Sequence, residues 1–267
     1  MFNFQHKNVL ITGGASGIGK LMGEIVLKKG ANLIIWDINQ QHIDETLQVL
    51  SPLGKVSVYL VDVSDTLKVN ETAQQVLLAE GFVDVVINNA GIIIGKFFHE
   101  HSEDDVKRTM AINTMAPMYV TAAFLPTMLN ENKGYICNIA SSAGLISNPK
   151  MAVYAASKWA LIGWSDSLRL EMKQLKKQIG VTTVTPYYID TGMFDGVQSI
   201  IPLLKPEKAA QQIIRGIEKQ KVYVSMPWSV GFVRFFQGVL PIWFFDWFVG
   251  RVFKIYHTMD HFEGRKL

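Results

Sequence analysis

Tyr154 and Lys158 stand four residues apart in KMAVYAASKWAL (150–161), a stretch whose small and apolar residues suit a buried helix. That spacing puts both side chains on one helical face. A free phenol, with a pKa near ~10, is a poor base at neutral pH, but an ammonium one turn away stabilises phenolate and lowers that value. The pair could then exchange a proton with an alcohol, help worth roughly 10²- to 10⁴-fold. The plainer alternative is an (i, i+4) pair on a solvated face.

A second group of residues matches phosphate binding. After a strand-like run comes TGGASGIGK, with Gly13, Gly17 and Gly19 where the chain must turn sharply into a helix. Glycines let backbone N–H groups approach a pyrophosphate closely, and the helix N-terminus adds partial positive charge, so Gly13, Ser16, Gly17, Ile18 and Gly19 are candidate contacts. Asp37 lies eighteen residues beyond Gly19, where a carboxylate accepts hydrogen bonds from an adenosine ribose and repels a 2′-phosphate. Ser16, rather than an arginine, precedes Gly17, so NAD is favoured over NADP. Asp62 and Val63 in LVDVSD, and Asn89, Ala90 and Gly91 in NNAG, end two further strands and could flank the adenosine. Each alone is also ordinary turn chemistry. A bound cationic nicotinamide would lower the phenol pKa further and couple proton removal to hydride departure from a carbinol carbon.

These residues need a parallel sheet to position them. Short β-branched runs at 8–12, 32–36, 55–61, 83–87, 134–140 and 180–186 alternate with longer amphipathic stretches, among them a helix from about Glu103 to Leu129 and another from about Met151 to Lys177. KVYVSMP reads as a last strand. The pattern predicts an α/β fold, Rossmann-like and doubly wound: a seven-stranded parallel sheet with helices on both faces. A chain of 267 residues with 49% apolar composition can form this as a single domain over 1–227, with a substrate loop at about 191–205 and an apolar C-terminal extension at 228–267.

Composition excludes several classes. A formal charge of +3, with no basic stripe, gives no case for nucleic acid. The six histidines lack metal-site spacing, so no metal is expected. The single Cys137 and the absence of a signal-peptide pattern ahead of the first strand predict a reducing, cytoplasmic setting. GGASGIG does not satisfy G-x-S-x-G, and no serine has a recognisable base partner, which argues against hydrolysis.

TGGASGIG, Asp37, Asp62, NNAG, Asn113 in MAINTMAP, Ser141 in NIASSAG and YAASK together resemble the short-chain dehydrogenase/reductase family over almost the whole chain. The resemblance implies that Ser141 hydrogen-bonds the substrate oxygen, Tyr154 is the acid/base, Lys158 also holds the nicotinamide ribose, and Asn113 supports a proton-relaying water. Ser141 is chosen over Ser142 on the family's thirteen-residue interval before the tyrosine; either serine can reach the site. Pro186 is retained after the sixth strand, and Ile189 and Thr191 fall where the family contacts the nicotinamide carboxamide and phosphates. Tyr187 departs from the pattern, standing where the family has glycine, and is expected to alter the wall beside the nicotinamide. A homodimer or homotetramer through the helices around Asn113 and Tyr154 is implied by the same resemblance.

PYYIDTGMF, KVYVSMP and HTMDHFEGRKL are similar to a lipid-directed subgroup that includes epidermal retinol dehydrogenases and membrane- or lipid-droplet-associated hydroxysteroid dehydrogenases. That similarity implies an apolar alcohol or its carbonyl product: a retinoid, a steroid or another lipid. The aromatic stretch 228–256 is interrupted by Arg234, Asp246 and Arg251, so it is a poor membrane span. Peripheral membrane contact, packing on a second subunit and closure of a greasy pocket all remain open readings. The expectation is therefore an NAD-dependent oxidoreductase of lipophilic alcohols; the alternative is a catalytically idle NAD-binding protein acting through membrane or partner contact.

Overall fold

The computed structural model describes residues 1–264. Strands β1 (Asn8–Thr12), β2 (Asn32–Asp37), β3 (Val56–Leu60), β4 (Val85–Asn88), β5 (Gly134–Ile139), β6 (Ile179–Pro186) and β7 (Tyr223–Met226) form one sheet in the order β3-β2-β1-β4-β5-β6-β7. Every pairing is parallel. The direction of winding reverses between β1 and β4, which opens a crevice at their carboxyl ends.

The strands are continuous apolar runs because both faces are covered, and alternate residues serve opposite layers. Val9, Ile11, Leu33, Ile35, Val85 and Ile87 pack with α1 (Gly17–Lys28), α2 (Gln40–Leu50) and α7 (Pro206–Glu218). Leu10, Ile34, Trp36, Val86 and Ile136 pack with α3 (Thr66–Glu80), α5 (Ala116–Glu131) and α6 (Ala152–Gln174). Helix starts follow local chemistry. Asp65 caps α3 by accepting from the backbone N–H groups of Leu67 and Lys68, Asn39 caps α2, and Pro206 opens α7.

One expected helix is altered. The periodicity predicts a single run from Glu103 to Leu129, but α4 (Glu103–Met110) and α5 are joined by a wide π-helical turn, Ala111–Met115. Such a turn inserts an extra residue into the helical ladder and is frequent where a side chain must be re-aimed. Here it carries Asn113.

A buried polar chain ties the sheet to its covering helices. Asn88 Nδ2 donates to Asn138 Oδ1 at 2.8 Å and to Thr121 Oγ1 at 3.1 Å, and Asn138 Nδ2 donates to Ser165 Oγ at 2.8 Å. β4, β5, α5 and α6 are thereby locked in one register, since leaving any of these groups unpaired in the core costs about 1–3 kcal/mol.

Beyond β7 the chain turns through Trp228–Phe232 into α8 (Val233–Val239), α9 (Ile242–Trp247) and a wide turn, Phe248–Val252. Phe245, Val249 and Ile255 face inward, whereas Trp228, Phe232, Phe235, Phe236, Ile242, Trp243 and Trp247 are exposed. No helix among the described residues is long and apolar enough to cross a membrane. Residues 255–264 fold back onto the loop after β6, and residues 265–267 of the expected extension lie outside the described residues.

Phe124 is fully buried with its ring 5.8 Å from that of Trp36, joining α5 to the sheet. Phe124→Ala is expected to lower the unfolding free energy by about 3–5 kcal/mol. Urea denaturation checks this, and a loss below about 1 kcal/mol would mean that the layer collapses to fill the gap.

Candidate active site

The crevice begins at the glycine turn. Gly13 and Gly17 have φ of +61° and +52°, a region that other residues enter at a cost. Gly19 is needed for another reason: a Cβ there would collide with the Gly13 carbonyl and lie 2.8 Å from Asn89 Nδ2. Asn89 fastens the turn from across the crevice by donating from Nδ2 to the carbonyls of Thr12 and Gly13, both at 3.0 Å. Thr12 Oγ1 answers by accepting from the N–H groups of Asn89 and Ala90 at 3.0 and 3.1 Å.

Asp37 closes β2 next to this turn. Its Oδ2 accepts from the Ala15 N–H at 3.0 Å and its Oδ1 from the Asn39 N–H at 3.1 Å, so the carboxylate is held at the edge of the glycine turn. Asp62 at the end of β3 accepts through Oδ1 from the backbone N–H and hydroxyl of Ser64, with Val63 buried beside it.

At the other end of the crevice α6 starts at Ala152 and presents Tyr154 and Lys158 within its first two turns, both buried. Lys158 Nζ lies 5.7 Å from the Tyr154 ring centroid and donates to the Ile139 carbonyl at 2.9 Å. Tyr154 and Ser141 line the same cleft, and the Ser141 side chain acts to lower the phenol pKa. Ser141 itself caps a short turn, Ser142–Gly144, accepting from the Ala143 N–H at 3.1 Å. That turn packs directly on α6, where a Cβ on Gly144 would lie 2.8 Å from the Lys158 carbonyl oxygen.

Asn113 sits under this group. Its Oδ1 accepts from the Ile92 N–H at 2.8 Å, while Nδ2 donates to the Ile92 carbonyl at 2.9 Å and to Ser157 Oγ at 3.1 Å. A Cβ on Gly91 would be 3.3 Å from Asn113 Oδ1 and 3.6 Å from Lys158 Nζ, so Gly91 leaves the space between them open.

The electrostatics differ from the sequence expectation. Burial pushes the Tyr154 phenol up to about 12, against a lowering by the Ser141 hydrogen bond and a further raising by Tyr188. Burial also pushes Lys158 down to about 8. In the free protein desolvation dominates both groups, because each is removed from water and the ammonium spends a hydrogen bond on Ile139. The two proton affinities move apart from nearly equal ordinary values, so in the free protein the phenol keeps its proton and passing it to the amine costs more than those ordinary values imply.

Gly13, Ser16, Gly17, Ile18, Asn89, Ala90, Gly91, Ser141, Tyr154, Lys158, Pro186, Ile189 and Thr191 all line one cleft. Thr191 stands over the turn, 3.8 Å from where a Gly17 Cβ would be. Gly19 and Asn113 lie behind this lining as supports, and Asp37, Asp62 and Val63 lie outside it, at the ends of β2 and β3. Thr12, Ser157 and Ile139 were not singled out from sequence: a threonine before the glycines, a serine between tyrosine and lysine and a strand-end carbonyl carry no signal of their own. Met193 and Phe194 also line the cleft.

Tyr187, the departure from the family pattern, lines the cleft beside Pro186, with its hydroxyl 2.8 Å from Ser199 Oγ and its ring 4.5 Å from that of Tyr188. Phe194 meets Tyr188 edge-on at 4.9 Å and Tyr154 at 6.3 Å. Tyr187 and Phe194 therefore give the cleft an aromatic wall, backed by Tyr188.

Comparison with known proteins agrees with this architecture. Residues 7–200 match the family described as short chain dehydrogenase. Mouse epidermal retinol dehydrogenase 2 is 36% identical over 266 residues, covering 97% of this chain and 85% of the relative. Zebrafish retinol dehydrogenase 10-A is 34% identical, covering 87% of this chain and 78% of its own. A crystal structure of a short chain dehydrogenase/reductase from Burkholderia phymatum in complex with NAD superposes with a TM-score of 0.81 at 27% identity, covering 88% of this chain and 94% of that one. With the reversed strand order, the glycine turn and this extent of match, the chain belongs to the short chain dehydrogenase family and is an oxidoreductase acting on CH–OH groups.

Proposed function

We propose that the protein interconverts a lipophilic alcohol, of retinoid or steroid type, and its aldehyde or ketone with NAD. The observation carrying this reading is the meeting of Ser141, Tyr154 and the buried Lys158 in one cleft that runs on to the glycine turn. A dinucleotide suits that cleft on steric grounds. The close approaches at Gly13, Gly19 and Gly91 leave room along the floor that any Cβ would take, and Asp37 ends β2 where a ribose diol would need an acceptor. Bound NAD supplies the hydride acceptor for alcohol oxidation.

The chain's own residues manage the proton. Ser141 donates to the substrate oxygen and fixes it against Tyr154, which takes the hydroxyl proton during oxidation and returns it during reduction. Lys158 stabilises the phenolate, and the open space at Gly91 between Nζ and Asn113 lets a water carry the proton onward. The apolar substrate class is supported by the aromatic wall of Tyr187, Tyr188 and Phe194 and by the relatives named as retinol dehydrogenases. This arrangement also disfavours an idle cofactor binder, since a protein without turnover has no use for a buried amine whose desolvation is unfavourable.

A second reading concerns location: residues 228–253 rest on a lipid surface. Its support is the exposure of Trp228 (77%), Ile242 (78%) and Trp243 (70%), interleaved with Arg234 and Arg251, the composition of an interfacial segment. The exposed Met115, Trp159 and Leu170 around α4, α5 and α6 are consistent with a second copy packing there, as the family resemblance implies.

Tyr154→Phe should reduce turnover roughly 10²- to 10⁴-fold while NAD affinity measured by fluorescence changes little; equal activity would refute the proton chemistry. A phenol raised to about 12 is mostly protonated at neutral pH, and its basic form grows about tenfold per pH unit below that value. Oxidative kcat/KM in the wild type should therefore climb between pH 6 and pH 9, conditions chosen as roughly spanning neutrality. Tyr154→Phe should flatten the climb.

Asp37→Ala is expected to shift the NADP:NAD preference by about tenfold or more, on the scale of one lost charged contact. An unchanged ratio removes Asp37 from the ribose site. For the lipid reading, Trp243→Ala/Trp247→Ala in the full chain should cut sedimentation with anionic phospholipid vesicles several-fold; equal pelleting with wild type would discard the surface.

A further inference from the structure

Resting on the reading of an apolar alcohol substrate, we propose that the segment 255–262, far from the glycine turn in sequence, is the wall that selects substrate by size. Ile255 opens a short turn, Ile255–His257, and the chain runs on through further turns to Phe262. Ile255 borders a small pocket with Ser141, Ser142, Ile146, Met151 and Tyr188. Met259, 1% exposed, and Phe262 pack in the same apolar cluster as Tyr154, Tyr187, Tyr188 and Phe194. Phe262 also lies so close over Gly95 that no side chain fits there. The segment thus packs in the same cluster as Tyr154 and, through Ile255, borders the pocket beside Ser141.

What holds it is polar and buried. The Thr258 hydroxyl lies 2.9 Å from the Tyr188 hydroxyl and accepts from Asn148 Nδ2 at 2.8 Å, while Asn148 Nδ2 also lies 3.1 Å from the Tyr188 hydroxyl. Thr258 and Asn148 are both buried, so opening this triangle leaves groups unpaired inside an apolar wall. Backbone bonds add to it. Gln198 N–H donates to the Thr258 carbonyl at 3.1 Å, and the N–H groups of Glu263 and Gly264 donate to the Asp195 carbonyl at 2.9 and 3.2 Å. The segment and the loop after β6 are therefore tied together by backbone hydrogen bonds. Met259 and Phe262 are specificity-determining residues, and Thr258, acting through Tyr188 and Asn148, is a positioning residue.

The test compares a retinol-sized polyene alcohol with a cyclohexanol-sized one in the full-length protein carrying Met259→Ala, Thr258→Val or Thr258→Ser. Removing apolar contact from a substrate pocket shifts discrimination by roughly 10- to 200-fold per methylene. Met259→Ala should lower the ratio of kcat/KM for the large alcohol over the small one by at least about tenfold, the change lying in KM rather than kcat. Thr258→Val should move the ratio the same way, and Thr258→Ser, which keeps the hydroxyl, should restore it. A ratio unchanged by Met259→Ala, or equal losses for both alcohols, overturns the wall. Equilibrium dialysis of the polyene alcohol separates the two claims. If the wild type oxidises no alcohol yet binds this one, and Met259→Ala weakens that binding about tenfold, the redox reading fails and the wall stands. If binding is absent or unchanged in the variant, the wall fails.

Discussion

The site depends on burying one amine. Lys158, 4% exposed, sits on a helix, faces the end of β5 and keeps one strong partner in the Ile139 carbonyl at 2.9 Å. Removing an ammonium from water is unfavourable, and burial accordingly pushes its pKa down to about 8. The neighbouring phenol is displaced the opposite way by the same loss of water. The shared dry environment moves the two proton affinities apart, so the phenol holds its proton in the free protein.

Keeping that environment in place takes much of the central fold. The chain Asn88–Asn138–Ser165 fixes α6 against β4 and β5. Asn113 reaches Ser157 only because the helix before α5 widens for one turn, which aims its amide at the loop after β4. Gly144 serves the same end by letting the turn after β5 approach the Lys158 backbone where a Cβ would collide. These are small-residue and amide requirements, and they explain why tyrosine, lysine, serine and asparagine from three separate segments converge.

The C-terminal stretch divides into two parts with different surroundings. Residues 228–253 carry aromatic side chains into solvent, while Phe245, Val249 and Ile255 turn inward onto Ile146. Ile146 and Ile255 in turn border the pocket beside Ser141. A single apolar layer thus separates Ser141 from an exposed aromatic face. This continuity gives the substrate-wall and lipid-surface readings a common physical basis, because a molecule that is poorly soluble in water benefits from a dry path between surface and site.

Local sequence was enough for the sheet, since β-branched runs buried on both faces alternate with amphipathic helices, and boundaries shifted by only a residue or two, as at β4 and β6. It was also enough to single out the glycine turn, Asp37 and the Tyr154/Lys158 spacing, because those positions are governed by backbone sterics and helical period. The family resemblance added Asn113 and Ser141. What it could not determine was anything that depends on how separate segments meet: the wide turn at Asn113, the Thr12–Asn89 clasp, the pairing of Lys158 with a carbonyl rather than with the phenol, and the return of residues 255–264 to the site. Those were decided by the tertiary structure, because desolvation and hydrogen-bond choice are properties of the packed interior and have no value until every neighbour is in place.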